Sequence, residues 1–184
     1  MLDFIEKVDR AVMRIGNSAS VLYFGVVCIA FYEVMARYLF NSPTSWVHET
    51  TTFVIGLCLV YGGVHCYAAD RHICMRFIRD TFGPRGRWIV DFITHNCVLI
   101  FFAMLLHGAF FSAWDAFIRP NGTFRMQTSG TGLDTPFPAI SKAFLLVCCV
   151  ILVGLAILHY VRHLAIAKAV FDGTYVEPPH VGKE

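Results

Sequence analysis

The chain has 184 residues, 57% of them hydrophobic and only 15% charged, with a mean hydropathy of +0.60 and a formal net charge of +2. Soluble domains carry about 25% charged residues, so this balance excludes a soluble enzyme or a nucleic-acid binder and marks an integral membrane protein. Four spans of about 20 residues each use up most of the length and leave no room for a sizeable soluble domain.

At the N-terminus Leu2, Ile5, Val8, Val12 and Ile15 recur at helical spacing with charges on the opposite face. This is the pattern of a helix lying on the inner membrane surface or, equally, of a cytoplasmic extension of the first span. Asp3, Glu6 and Asp9 spoil the positive leader of a secretory signal, and no small-residue cleavage site follows. The first span is expected at about 19–40, with Glu33 and Arg37 in its last turns. Arg37 lies one turn after Glu33, so the two can pair along one helix face, and Glu49 at the start of the next span is a second candidate partner. Between them Asn41-Ser42-Pro43 supplies a turn: proline stops the helix and asparagine tolerates turn geometry. Trp46 has the amphipathic ring favoured at headgroup level.

The second span, about 50–69, has no charge, and its Gly56, Gly62 and Gly63 suit close helix packing. A second amphipathic piece follows, with Ile73, Phe77, Ile78 and Phe82 on one side and Arg76, Arg79 and Asp80 on the other, ended by Gly83-Pro84. Its arginines serve anionic lipid, a partner's cytoplasmic loops, or simply topology control. The third span is expected at about 88–117 and the fourth at about 139–162. The loop between them, rich in Gly and Pro, reads as an irregular connection, and Gly130-Thr131-Gly132 lacks the further glycine and lysine of a phosphate loop. Asn121-Gly122-Thr123 matches a glycosylation sequon, a weak three-residue pattern. The expected organisation is one four-helix membrane domain over residues 1–170 and a flexible tail over 171–184 with Pro178-Pro179.

Basic residues set the orientation. Lys7, Arg10, Arg14, Arg71, Arg76, Arg79, Arg85, Arg87, Arg162, Lys168 and Lys183 fall on one side; the other has Arg119 and Arg125 in its loop and Arg37 and Lys142 at span ends. Both termini are therefore expected in the cytoplasm. The seven cysteines include no Cys-x-x-Cys pair and none in the outer loops, which argues against thiol–disulfide exchange. His65, His95, His107 and His159 lie within spans, and paired intramembrane histidines can ligate haem. His65 and His95, both near the inner ends of their spans, are the candidate pair, so a haem-binding membrane anchor of a redox complex is the alternative reading. Autonomous transport fits less well, because the second, third and fourth spans have uncharged centres where a pathway needs polar or broken helices.

The motif Arg37-Tyr38-x-Phe40-Asn41-x-Pro43-x-x-Trp46-x-x-Glu49, followed by Gly62-Gly63 and Arg71-His72-Ile73, closely resembles the small membrane subunit, DctQ-like, of tripartite ATP-independent periplasmic (TRAP) transporters. The chain departs from that pattern at His48, where family members often carry a second acidic residue, so a paired-carboxylate role lacks its partner. The resemblance implies a non-catalytic, multi-pass subunit of the bacterial inner membrane with no cofactor of its own. Its implied partners are a large, DctM-like membrane subunit, a periplasmic solute-binding protein and membrane lipids. The large subunit would carry an organic acid or similar solute inward on a sodium gradient, while the small subunit packs against and stabilises its scaffold. On this reading Arg37, Asn41, Pro43, Trp46, Glu49 and His72 form the structural and interface motif. Arg37 and Glu49 are expected to lock the first two helices through an ion pair or hydrogen-bond cluster. His72 is an interface contact or a local helix cap, and Arg119, Arg125 and Asp134 are the loop charges available to the binding protein.

Overall fold

The computed structural model describes residues 2–42, 44–69, 82–119, 121–130 and 134–171. Among them lie four helices long and apolar enough to cross a membrane: α1 Leu2–Leu39, α2 Ser45–Ala68, α3 Pro84–Phe117 and α4 Phe137–Phe171. The fold is all-helical among the described residues, and four such helices mark a multi-pass membrane protein.

Each helix end has a local cause. Asn41, at φ 50°, takes the left-handed conformation that asparagine tolerates better than most residues. Just past it, the Ser42 N–H returns to the Ala36 carbonyl at 3.1 Å and closes α1. Thr44, extended at φ −103° and ψ 123°, is the N-cap of α2, and Gly83 precedes Pro84 at the start of α3, where proline's missing N–H costs nothing. After α3 the chain folds back on itself. Ile118 bridges Phe124 in antiparallel fashion across a turn whose Gly122 has φ 74°, and the Arg125 and Gln127 N–H groups return to the Phe117 and Ala116 carbonyls at 2.9 and 2.8 Å. Part of the loop expected to be irregular is therefore strapped to the end of α3.

The helices do not close into a square bundle. α1 packs on α2, α2 on α4 and α4 most extensively on α3, while α1 only brushes α4. The spatial order is α1, α2, α4, α3, a slab with α4 and α2 in its middle. The core lies where they cross: Val64 and Ala68 of α2 meet Cys148, Leu152, Leu155 and Ala156 of α4, with Val12 and Phe102 reaching in from the flanking helices. Tyr67 of α2 and Phe102 of α3 meet edge-on at 5.1 Å. Along α3 the buried Ala109, Ala113 and Ala116 suit the close packing of that helix.

The structure favours one of the two open readings of the N-terminus. The amphipathic N-terminal stretch is continuous with the first span in one helix of 38 residues, about 57 Å at 1.5 Å per residue, nearly twice the hydrocarbon thickness. Part of its apolar side is covered by protein: Val12 is buried with Val8 packed against the same core, and the Tyr61 hydroxyl donates to the Val12 carbonyl at 3.0 Å, while Ile15 stays exposed. It is an extension of the span and not a separate surface helix. The second amphipathic piece, 73–82, and the tail beyond Phe171 lie outside the described residues except for Phe82.

Glycine packing falls elsewhere than expected. A Cβ at Gly56, Gly62 or Gly63 would meet nothing within 4 Å, whereas one at Gly16 would come within 2.3 Å of His65 Nδ1. Gly16 is thus where α1 and α2 approach through the His65 ring. Gly16→Val should lower stability by about 1–3 kcal/mol, the usual cost of overpacking. The added variant His65→Ala should recover most of that loss in a detergent-unfolding assay; equal stability of Gly16→Val and the parent would refute the contact.

Candidate functional site

Two polar networks occupy the end of the slab that carries the α1–α2 turn and the α3–α4 loop. In the first, Arg37 donates from Nη2 to Glu33 Oε1 at 2.9 Å. The Thr44 N–H donates to both Glu33 oxygens at 3.2 and 3.3 Å, and the Thr44 hydroxyl donates to Glu33 Oε2. A helix start leaves N–H groups without intrahelical partners and carries a partial positive charge. Here the carboxylate of the preceding helix meets both needs. Glu33 therefore couples the end of α1 to the start of α2 across the turn.

The second network centres on Glu49, on the first turns of α2. The Thr135 hydroxyl donates to Glu49 Oε2 at 2.6 Å, and the Ser129 hydroxyl lies 3.4 Å from both carboxylate oxygens. Ser129 is itself fixed, its N–H donating to the Thr135 carbonyl at 2.9 Å. Below this cluster Phe53 of α2 and Phe137 of α4 stack with centroids 4.4 Å apart. A shallow cavity of about 330 Å³ lies here, lined in part by His48, Glu49, Thr52, Ser129 and Thr135. Close by, Lys142 of α4 donates to Gln127 at 2.6 Å, a further tie between helix and loop.

The expected Arg37–Glu49 lock is thus not the arrangement found. Arg37 stays on its own helix because Glu33, four residues back, lies on the same face, and Glu49 turns to the α3–α4 loop. Two separate ties replace one. Trp46 is 45% exposed at the start of α2, and Asn41 makes the turn. Pro43 and His72 lie outside the described residues. Arg119, Arg125 and Asp134 are all exposed; Arg119 and Arg125 flank the Ile118–Phe124 bridge, while Asp134, at φ 47°, precedes Thr135.

The Glu33 tie predicts an order of effects. Glu33→Ala strips the start of α2 of its acceptor, whereas Arg37→Ala removes one exposed i, i+4 pair, which is worth little. Hydrogen exchange in the first turn of α2 should accelerate strongly in Glu33→Ala and scarcely in Arg37→Ala. The reverse order would refute the capping role.

At the opposite end, polar side chains are buried between helices. His159 Nε2 of α4 lies 3.4 Å from Asp9 Oδ2 of α1, with both side chains nearly inaccessible, and the His159 ring stacks on Tyr67 of α2 at 5.4 Å. Asp9 Oδ1 and His65 Nδ1 have no hydrogen-bond partner among the described residues. Beside them His163 of α4 is sandwiched between His95 and Trp88 of α3 at 5.0 and 5.1 Å. The proposed haem pair does not form, because His65 engages α1 at Gly16 while His95 engages α4 at His163. The two rings serve separate helix contacts, and this gives a haem anchor no support. Among the described residues Cys58, Cys148 and Cys149 are buried and free, as small apolar fillers are.

Two of the three polar ties were hidden from a reading of the sequence. Ser129 and Thr135 lie in a loop with no periodic pattern, and their partner is 80 or more residues away. Glu33 reads as half of a helical pair, and only the chain reversal turns it towards Thr44. Asp9 did leave a signal, and it is the exception to the charged face expected opposite the apolar residues: it stands four residues after Ile5 and three before Val12, on the apolar side of its helix, where a carboxyl group needs a partner.

A search of curated proteins finds no match to the chain. Residues 26–167, most of the chain, from within α1 to near the end of α4, match the model of Tripartite ATP-independent periplasmic transporters, DctQ component, and the protein belongs to that family.

Proposed function

We propose that this chain is the non-catalytic small permease subunit of a TRAP transporter. It packs against and stabilises the scaffold of the large membrane subunit during sodium-driven, binding-protein-dependent uptake of an organic acid or similar solute. The observation that carries the reading is the family match over residues 26–167. What supports the structural role is how the polar groups are used. Glu33 and Glu49 tie a turn and a loop to helix starts, and Asp9 and His159 join α1 to α4. Each polar cluster is spent on holding helices and loops together. A rigid slab of this kind suits a subunit that stays still while its neighbour moves.

On this reading the protein lies in the bacterial inner membrane with both termini in the cytoplasm. The α1–α2 turn and the α3–α4 loop then face the periplasm, where Arg119, Arg125 and Asp134 are available to the binding protein. The chain needs no cofactor of its own, and sodium belongs to the large subunit. The test is co-expression with a large, DctM-like TRAP membrane subunit and purification in mild detergent, read by native mass spectrometry and an absorption spectrum. The expected result is a complex of the two chains without a Soret band. Recovery of this chain alone, or with bound haem, would overturn the proposal.

A further inference from the structure

α3 packs on α4 along one side only, and its opposite side carries a stripe running through Ile100, Met104, His107, Phe111 and Trp114, all exposed. Met104 is 71% exposed and Ile100 60%. Apolar side chains in such a stripe are at home in lipid, but His107 is not. Trp114, at the loop end of α3, stands two turns further on, so His107 lies about 10 Å deeper along the axis. Side chains on a helix lean towards its N-terminus, which for α3 is the far side of the membrane. The imidazole therefore leans towards the bilayer centre and away from the nearer interface, so it is poorly placed to snorkel. Its one ring contact shown is with Phe111 of its own helix, at 4.8 Å, which offers the ring nitrogens no conventional hydrogen-bond partner. Polar residues within spans face protein or a water-filled cavity far more often than lipid. Next to it Gly108 has open space where a Cβ would stand, which lets another backbone come close.

The outer face of α1 is a built-in comparison. Phe24, Val27 and Phe31 are 72%, 64% and 62% exposed, and nothing in that trio asks for more than acyl chains. Apolar exposure alone does not separate the two faces; the buried-depth imidazole does.

We infer that the His107 stripe of α3 is the docking face for a transmembrane helix of the large membrane subunit, one that offers His107 a hydrogen-bonding group at its own depth and passes close to Gly108. This rests on the proposed function, and the experiment separates the two. A photocrosslinking amino acid is placed at Met104 or Phe111 of α3, or at Phe24 of α1, in the chain co-expressed with the large subunit in native membranes. Both α3 positions should crosslink to the large subunit and Phe24 should not. In parallel, His107→Leu should insert normally, since leucine suits lipid, yet retain the large subunit about three- to tenfold less well, the range expected of one hydrogen bond between membrane helices. His107→Asn, which keeps a donor and an acceptor, should retain it nearly as the parent does.

The inference is overturned if the large subunit co-purifies but the α3 probes mark lipid or a second copy of this chain, if Phe24 gives the crosslink, or if His107→Leu retains the large subunit fully. Failure of the parent chain to capture the large subunit at all would instead sink the functional reading, and this inference with it.

Discussion

Glu49→Ala should detach the α3–α4 loop from α2 and lower both the stability of the subunit and its hold on the transporter complex. The carboxylate accepts from Thr135 at 2.6 Å and stands 3.4 Å from the Ser129 hydroxyl. Hydrogen bonds to charged groups contribute about 1.5–3 kcal/mol each when intact; the longer Ser129 contact lies at the weak end, so a loss of about 2 kcal/mol is expected from the cluster. Hydrogen exchange at residues 127–130 should speed up by more than tenfold, since 1.4 kcal/mol corresponds to a factor of ten at 25 °C. Glu49→Gln keeps one acceptor oxygen and should lose less. Unaltered exchange in Glu49→Ala would show that the strap from Arg125 and Gln127 back to α3 holds the loop without help from α2.

A comparable loss is expected at the opposite end of the slab. His159→Leu leaves the buried Asp9 carboxyl group without its hydrogen-bond partner, and a buried polar group left unsatisfied costs about 1–3 kcal/mol, more for a charged one. It also removes the ring that stacks on Tyr67. Replacing both members by apolar residues, Asp9→Leu with His159→Phe, should restore most of the stability, because no buried polar group is then left without a partner. Asp9 Oδ1 lacks a hydrogen-bond partner among the described residues, which makes that recovery more complete. Unfolding in mixed micelles, run as a double-mutant cycle, measures the coupling. Two losses that simply add would mean that Asp9 and His159 do not depend on each other.

Much of the architecture was legible in the sequence because lipid imposes a simple rule. A spanning backbone must bond to itself, so long apolar runs become helices, and the four helices follow the four runs. What could not be read was the order in which they stand. The slab order α1, α2, α4, α3 depends on small residues such as Ala109, Ala113 and Ala116 fitting the α3 contact, and a run of alanines within an apolar span has no directional signature. The Arg37 to Glu49 segment was recognisable as a motif from its residue types, but its wiring was not. The nearer, helical partner of Arg37 won over the distant one, and Glu49 was drawn to hydroxyls from a loop whose position only the α3–α4 packing fixes. Glycines misled for a related reason: Gly56, Gly62 and Gly63 have the composition of a packing site, yet within this chain the tight approach is at Gly16.

On the proposed function, this subunit supports transport without performing it. The most direct test is uptake into proteoliposomes under an inward sodium gradient, with the binding protein and its solute outside. The vesicles hold the large membrane subunit alone, this chain alone, or both. Sodium-driven uptake is expected with both chains, little or none with either alone, and a partial loss with Glu49→Ala in the pair. Full uptake by the large subunit without this chain, or uptake by this chain without the large subunit, would contradict the proposed function.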